Sequence, residues 1–128
     1  MTDIMARTVW GEARGQGAAG MAGVAWVVKN RAAHPGWWGE DIDSVCLKPY
    51  QFDVWLQNDP NCDKCKAVTL DDHAFAEASR ICAGVLSGAI PDPTNGATSY
   101  YDTSIQPPKW AVGKTPSAAI GAFRFFKV

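Results

Sequence analysis

Glu12 is the residue whose setting best suits acid–base chemistry. It falls on one helical stripe with Ile4 and Thr8, eight and four positions back. A carboxylate at the end of an inward-facing stripe is partly desolvated, which disfavours its charged form and raises its pKa. The turn Arg14-Gly15-Gln16-Gly17 follows at once, where a cleft can open. A protonated glutamate at a cleft lip suits general-acid cleavage of a glycosidic bond. The same pattern fits a helix-end Glu paired with Arg14 or with a buried partner, and spacing alone leaves these readings open.

Other reactive residue types are sparse. Cys62 and Cys65 form a single C-x-x-C, whereas a zinc ribbon needs a second pair at similar spacing. Cys46, Cys62 and Cys65 flank an acidic, turn-rich loop, and a disulfide bracing it is the expectation in an oxidising compartment. Cys82 sits at an apolar helix position and reads as a buried thiol. The two histidines, His34 and His73, have no neighbour at ligand spacing, so no metal is expected. A Cys46–His73 peptidase pair is the weaker nucleophilic alternative. Six tryptophans are many for this length. Core packing accounts for some, while Trp37, Trp38 and Trp110 are candidate platforms for sugar rings, which stack on indole faces. Gln51 can hydrogen-bond an acetamido group or Glu12, or else cap a loop as a buried amide.

These residues need elements to hold them. Thr2 is a suitable N-cap, with Asp3 in the first turn of a helix carrying Ile4, Met5, Thr8, Val9 and Glu12, and Gly15 fits the position that closes it. A second helix over 18–32 has Met21, Val24, Ala25 and Val28 inward and stops at His34-Pro35-Gly36. Short helices are expected at 41–47 and 50–56, and a loop over 58–66. Thr69 with Asp72 reads as a capping box that starts a helix running to Gly88. From Pro91 the chain is broken by prolines around two short aromatic strands, Thr98-Ser99-Tyr100-Tyr101 and Phe123-Arg124-Phe125-Phe126. Tyr100 and Tyr101 alternate, so one should face a cleft and the other the core, with Thr98 on the face of Tyr100. The fold class expected is α+β: one mainly helical domain over residues 1–128 with a small irregular β region near the C-terminus.

Composition bounds the partners. The 128 residues suit one domain, and 47% apolar with 20% charged residues is near the globular average. Net charge is −1, without the basic surplus of a DNA-binding domain. The balance is uneven: residues 40–77 hold nine acids against three bases, whereas residues 103–128 hold Lys109, Lys114, Arg124 and Lys127 and no acid. Solvated faces explain this, and a cationic rim on an anionic polymer is the sharper alternative. The start, Met1-Thr2-Asp3, lacks the basic region of a signal peptide. The longest apolar stretch, Ala18 to Val28, is eleven residues, against roughly 20 for a membrane helix. Membrane insertion is not expected.

Longer motifs add to this. The run Ala6-Arg7-Thr8-Val9-Trp10-Gly11-Glu12-Ala13-Arg14-Gly15 resembles the opening motif of the SleB-type cell-wall hydrolases, a family of spore-cortex-lytic enzymes and phage endolysins. Gly20 to Arg31 is similar to its second helix. Trp37-Trp38-Gly39, Val45 to Phe52 and Trp55 resemble its next block, and Asp92 to Tyr101, Ile120-Gly121 and Phe125-Phe126 its closing blocks. The likeness runs through nearly the whole chain in order. Two departures stand out: the family commonly has His where this chain has Ser99 and Phe123.

The resemblance implies a lysozyme-like fold and a cofactor-free monomer acting on peptidoglycan glycan strands. Glu12 would be the catalytic acid at the bond between N-acetylmuramic acid and N-acetylglucosamine. The outcome expected is lytic transglycosylation, which closes a 1,6-anhydro ring. Gln51, Phe52, Thr98, Tyr100, Tyr101, Trp38 and Trp110 are the expected substrate-binding residues. A hydrolytic lysozyme usually has a second acid, for which Glu40, Asp41, Asp43 and Asp53 are the candidates, Asp53 foremost. A non-catalytic peptidoglycan-binding module is the other alternative. A phage endolysin, released from host cytoplasm onto the wall, and a bacterial enzyme both suit such a chain.

Overall fold

A computed structural model describes residues 2–49 and 51–128. The elements in chain order are α1 (Thr2–Ala13), α2 (Gly17–Ala33), α3 (Ile42–Leu47), α4 (Cys62–Ala67), α5 (His73–Ser87), β1 (Ser99–Asp102), β2 (Ala118–Ile120) and β3 (Phe123–Phe126). Short 3-10 turns lie at Arg14–Gln16, Asp53–Trp55 and Lys109–Ala111. The α+β expectation holds.

Helices α1, α2 and α5 pack against one another and form the centre. Apolar residues at helical spacing drive this: Met5 and Val9 from α1, and Phe75, Ala78, Ile81, Cys82 and Val85 from α5, are all buried. Helix α2 is buried on most sides from Gly20 to Val28, as its Gly, Ala and Val content requires. The sheet has strand order β1-β3-β2, antiparallel throughout, with Tyr100 opposite Phe125 and Asp102 opposite Phe123. It docks on α2 through the Phe125 ring. A Cβ at Gly23 would lie 2.5 Å from Phe125 Cζ, so only glycine admits that close approach.

Several boundaries differ from the pattern-based expectation. Gly15 does not close α1. Arg14 folds back over the Trp10 ring at 4.1 Å and donates to Asn61 Oδ1 at 2.8 Å, so the chain keeps turning until Gly17, at φ 76°, opens α2. Thr69 does not cap α5. Asp72 does, accepting from Phe75 N at 2.9 Å and from Trp10 Nε1 at 3.1 Å, while Thr69 shapes the turn before it. Gly88 ends α5 in the left-handed region, as expected. The 58–66 stretch is not all loop: α4 starts at Cys62 and buries Cys62 and Cys65. Of the expected 50–56 helix only the turn Asp53–Trp55 forms, and Phe52 is extended. Tyr50 and the side chain of Thr2, the expected cap, lie outside the described residues. Strand β2 was not expected, because Ala-Ala-Ile gains strand character only from pairing with β3.

All four cysteines are free and buried, so the expected disulfide is absent. Among the described residues no group of three or more His, Cys, Asp or Glu side chains is arranged to hold a metal ion, and no helix is long and apolar enough to cross a membrane.

Candidate active site

The end of α1, the segment 51–53 and the length of β1 border one cavity of about 720 Å³. Glu12 lies in its wall. The stripe logic explains why: Thr8, one turn back, is fully buried, donates to Ile4 O at 2.8 Å and accepts from Trp55 Nε1 at 2.8 Å. That face of α1 turns inward, and its last turn carries Glu12 to the edge of the core.

Tyr100 Oη donates to Glu12 Oε1 at 3.0 Å. The Glu12 pKa is raised from 4.5 to about 7. Burial is the main cause; the Tyr100 hydrogen bond pulls the other way, and the charges of Asp53 and Asp59 add to the rise. Tyr100 is itself held well above its usual value by burial and by the neighbouring Glu12, so its phenol stays a donor. Its ring is fixed edge-on to Phe123 at 5.1 Å and against Phe125 at 5.7 Å. Phe123, where the resembling family has His, therefore supports the phenol that holds the acid.

Glu12, Gln51, Phe52, Tyr100, Tyr101 and Trp110 all border this cavity. Tyr100 reaches the acid. Tyr101, on the other face of β1, stacks on Phe126 at 5.8 Å and meets Trp110 edge-on at 6.3 Å. Both tyrosines contribute to the wall because β1 runs along it from Ser99 to Asp102, so neither is confined to the core. Phe52 is buried beneath the cavity. Gln51 borders the cavity but makes no side-chain hydrogen bond to Glu12 among the described residues.

Thr98 and Trp38 fall outside the cavity lining. Thr98 is buried and donates to Val128 O at 2.9 Å. Trp38 Nε1 donates to Arg31 O at 2.9 Å and His34 O at 3.0 Å, covering carbonyls at the end of α2. Its neighbour Trp37, 63% exposed, borders the cavity instead. Of the four acids considered as a second carboxylate, only Asp53 lines it; Asp41 caps α3. The Cys46–His73 pair is not a catalytic dyad: Cys46 is fully buried with its thiol pushed up to about 12, and His73 is exposed on α5.

Asp102, Ile105 and Arg31 also line the cavity and are not marked by residue type, and Lys114, one of the cations of the rim considered above, joins them. Arg31 left a signal, however. It continues the inward spacing of Val24 and Val28, where a charged residue needs a reason.

A family model described as Cell Wall Hydrolase matches residues 15–126, beginning just after Glu12. The chain belongs to the cell wall hydrolase family. Two solved structures are similar across 98% of this chain, each with a TM-score of 0.77. One is the catalytic domain of SleB from Bacillus cereus, at 26% identity over 90% of that chain. The other is the catalytic domain of the germination-specific lytic transglycosylase SleB from Bacillus anthracis, at 25% identity over 93%. The sequence has no match among curated proteins.

Proposed function

We propose that this cell wall hydrolase is a lytic transglycosylase that cuts the bond between N-acetylmuramic acid and N-acetylglucosamine, with Glu12 as acid and then base. The carrying observation is a half-buried carboxyl raised to about 7 in the wall of the cavity and held through one oxygen by Tyr100. The similar Bacillus anthracis protein is named as a lytic transglycosylase, which supports this reading.

With Oε1 engaged by the phenol, the proton of neutral Glu12 is best carried on Oε2. Glu12 gives it to the glycosidic oxygen as the bond breaks, and the substrate's acetamido group stabilises the resulting cation. The carboxylate then takes the proton of the muramic 6-hydroxyl, whose oxygen closes the 1,6-anhydro ring. The proton count balances, Glu12 is restored, and no water is consumed. A pKa near working pH suits a group that must serve in both directions.

Asp53 gives one specific reason to keep a hydrolytic muramidase as the second reading. It is a carboxylate on the same cavity whose charge acts on Glu12. Mass spectrometry of released muropeptides separates the two. Ends lighter by one water support transglycosylation, and reducing ends overturn it. Wall binding without fragment release would overturn both in favour of a binding module.

A further inference from the structure

We propose that the Arg31 guanidinium is the seat for a substrate carboxylate, the free lactyl group of a muramic acid whose stem peptide has been removed. This rests on the glycan-cleaving reading above and names which form of the glycan the site takes.

Arg31 borders the same cavity as Glu12 and Tyr100 yet is only 6% exposed. Its Nε donates to Thr98 O at 2.6 Å, two residues before Tyr100 on the chain. Beyond that bond it is poorly compensated. Nη1 is buried with no hydrogen-bond partner. No carboxylate lies within ion-pair distance of the guanidinium among the described residues, where the pair formed is Arg7 with Asp3. Its neighbours are aromatic: the guanidinium carbon is 5.5 Å from the Phe52 ring centre and 5.7 Å from that of Trp38. Ring faces attract a cation but leave its charge and its N–H groups unmatched. A buried, unpaired charge is costly, and removing it from water is repaid only by a counter-charge with good geometry. Burial accordingly depresses the Arg31 pKa.

The other charged side chains on the cavity do not fill this role, and the carboxyl end at Val128, which also borders it, accepts from the Thr98 hydroxyl at 2.9 Å. Asp53 is exposed, and Asp102 accepts from Ser104 N at 2.8 Å in a turn. Lys114, exposed on the same cavity, adds a second positive group. A neutral acetamido or peptide carbonyl would give Arg31 a hydrogen bond but no counter-charge. A carboxylate gives both, in the forked geometry a guanidinium matches. Next to the scissile bond in peptidoglycan, the group that can be a carboxylate is the lactyl substituent of muramic acid. It is a neutral amide while a stem peptide is attached and an anion once the peptide is gone. The reaction class that supplies the preferred substrate is therefore hydrolysis of the lactyl–peptide amide.

The test uses two glycan strands of one preparation. One is stripped of stem peptides by an amidase and carries free lactyl carboxylates; the other has those carboxylates capped as methylamides. The unaltered protein should cut the carboxylate strand with a kcat/KM about tenfold higher, with a gap that narrows as salt is added. Arg31→Gln should close the gap to within about twofold whatever its absolute rate, and Arg31→Lys should keep part of it. Equal rates on the two strands, or a gap that survives in Arg31→Gln, overturn the proposal. Should Arg31→Gln fail to fold, as near-ultraviolet circular dichroism would reveal, the strand comparison with the unaltered protein and with Arg31→Lys decides. Cleavage of both strands at one rate strikes at Arg31 alone; cleavage of neither overturns the glycosidase reading with it.

Discussion

Replacing Tyr100 with Phe tests the acid directly. The substitution keeps the ring that packs on Phe123 and Phe125 and removes only the hydroxyl that donates to Glu12. A hydrogen bond to a charged acceptor contributes about 1.5–3 kcal/mol and one to a neutral acceptor about 0.5–1.5 kcal/mol. The hydroxyl therefore favours the carboxylate over the acid by about 1–1.5 kcal/mol, which is about one pKa unit. Glu12 should move from about 7 to about 8. In the proposed mechanism its protonated form is the active one, so activity present below this value is lost above it. The assay is kcat/KM for release of soluble fragments from purified peptidoglycan across about pH 5–9. The alkaline limb should move up by about one unit, whatever happens to the plateau. At about pH 8 the protonated fraction rises from about a tenth to about a half, a relative gain of about fivefold over the unaltered protein. An alkaline limb that stays in place or moves down refutes the reasoning.

Glu12→Gln should abolish fragment release at every pH and stabilise the fold selectively at high pH. Glu12 has a folded pKa above its unfolded value, so its contribution to stability is full below about 4.5 and is lost as pH rises through about 7. The variant's advantage should therefore grow from near zero at about pH 4 to about 2–3 kcal/mol at about pH 8, read by denaturant melts. A constant difference across that range would refute the burial argument. Asp53→Asn removes a charge that raises Glu12, so its alkaline limb should move down while activity persists; complete loss of activity would favour the hydrolytic reading. Gly23→Ala should cost about 1–3 kcal/mol by pushing the Phe125 ring off α2, measured by chemical denaturation.

The place of Glu12 in the cavity wall is legible because two local signals coincide there: a stripe that turns inward and a turn that ends it. Tyr100 was legible as a cavity residue, but its role was not. Period-2 alternation says that Tyr100 and Tyr101 face opposite ways, and only the pairing of β1 with β3 decides which one meets α1. Trp37 and Trp38 show a sharper limit. Adjacent and identical in type, they separate because the Trp38 indole reaches two carbonyls at the end of α2. That acceptor site exists only once the helix has ended. The expected disulfide fails for a related reason, since it rested on reading 58–66 as a loop, whereas Cys62 and Cys65 lie buried on α4. Cys62 and Cys65 are three apart, a spacing that serves a ligand pair and a buried helix face equally well, and the structure uses the second.

Arg31, which residue type alone did not single out, is revealed by what its position costs. It follows Val28 on a face that excludes water, and its main anchor is the carbonyl of Thr98. A fold seeking stability alone would place an apolar side chain there, since well-packed replacements of buried charges are often neutral or favourable. The cation instead lies on the cavity shared by Glu12 and Tyr100 and leaves one buried N–H group unmatched. Such an arrangement lowers stability unless a ligand completes it. Thr98, excluded from the cavity, nonetheless acts on the site through this bond: its carbonyl anchors Arg31, and two residues later the chain presents Tyr100 to Glu12. One short segment thus connects the group proposed to seat the substrate with the group that holds the acid. Substitutions at Arg31 should accordingly alter substrate preference through lost charge and the alkaline limb through displaced Tyr100, two effects that the strand comparison and the pH profile measure separately.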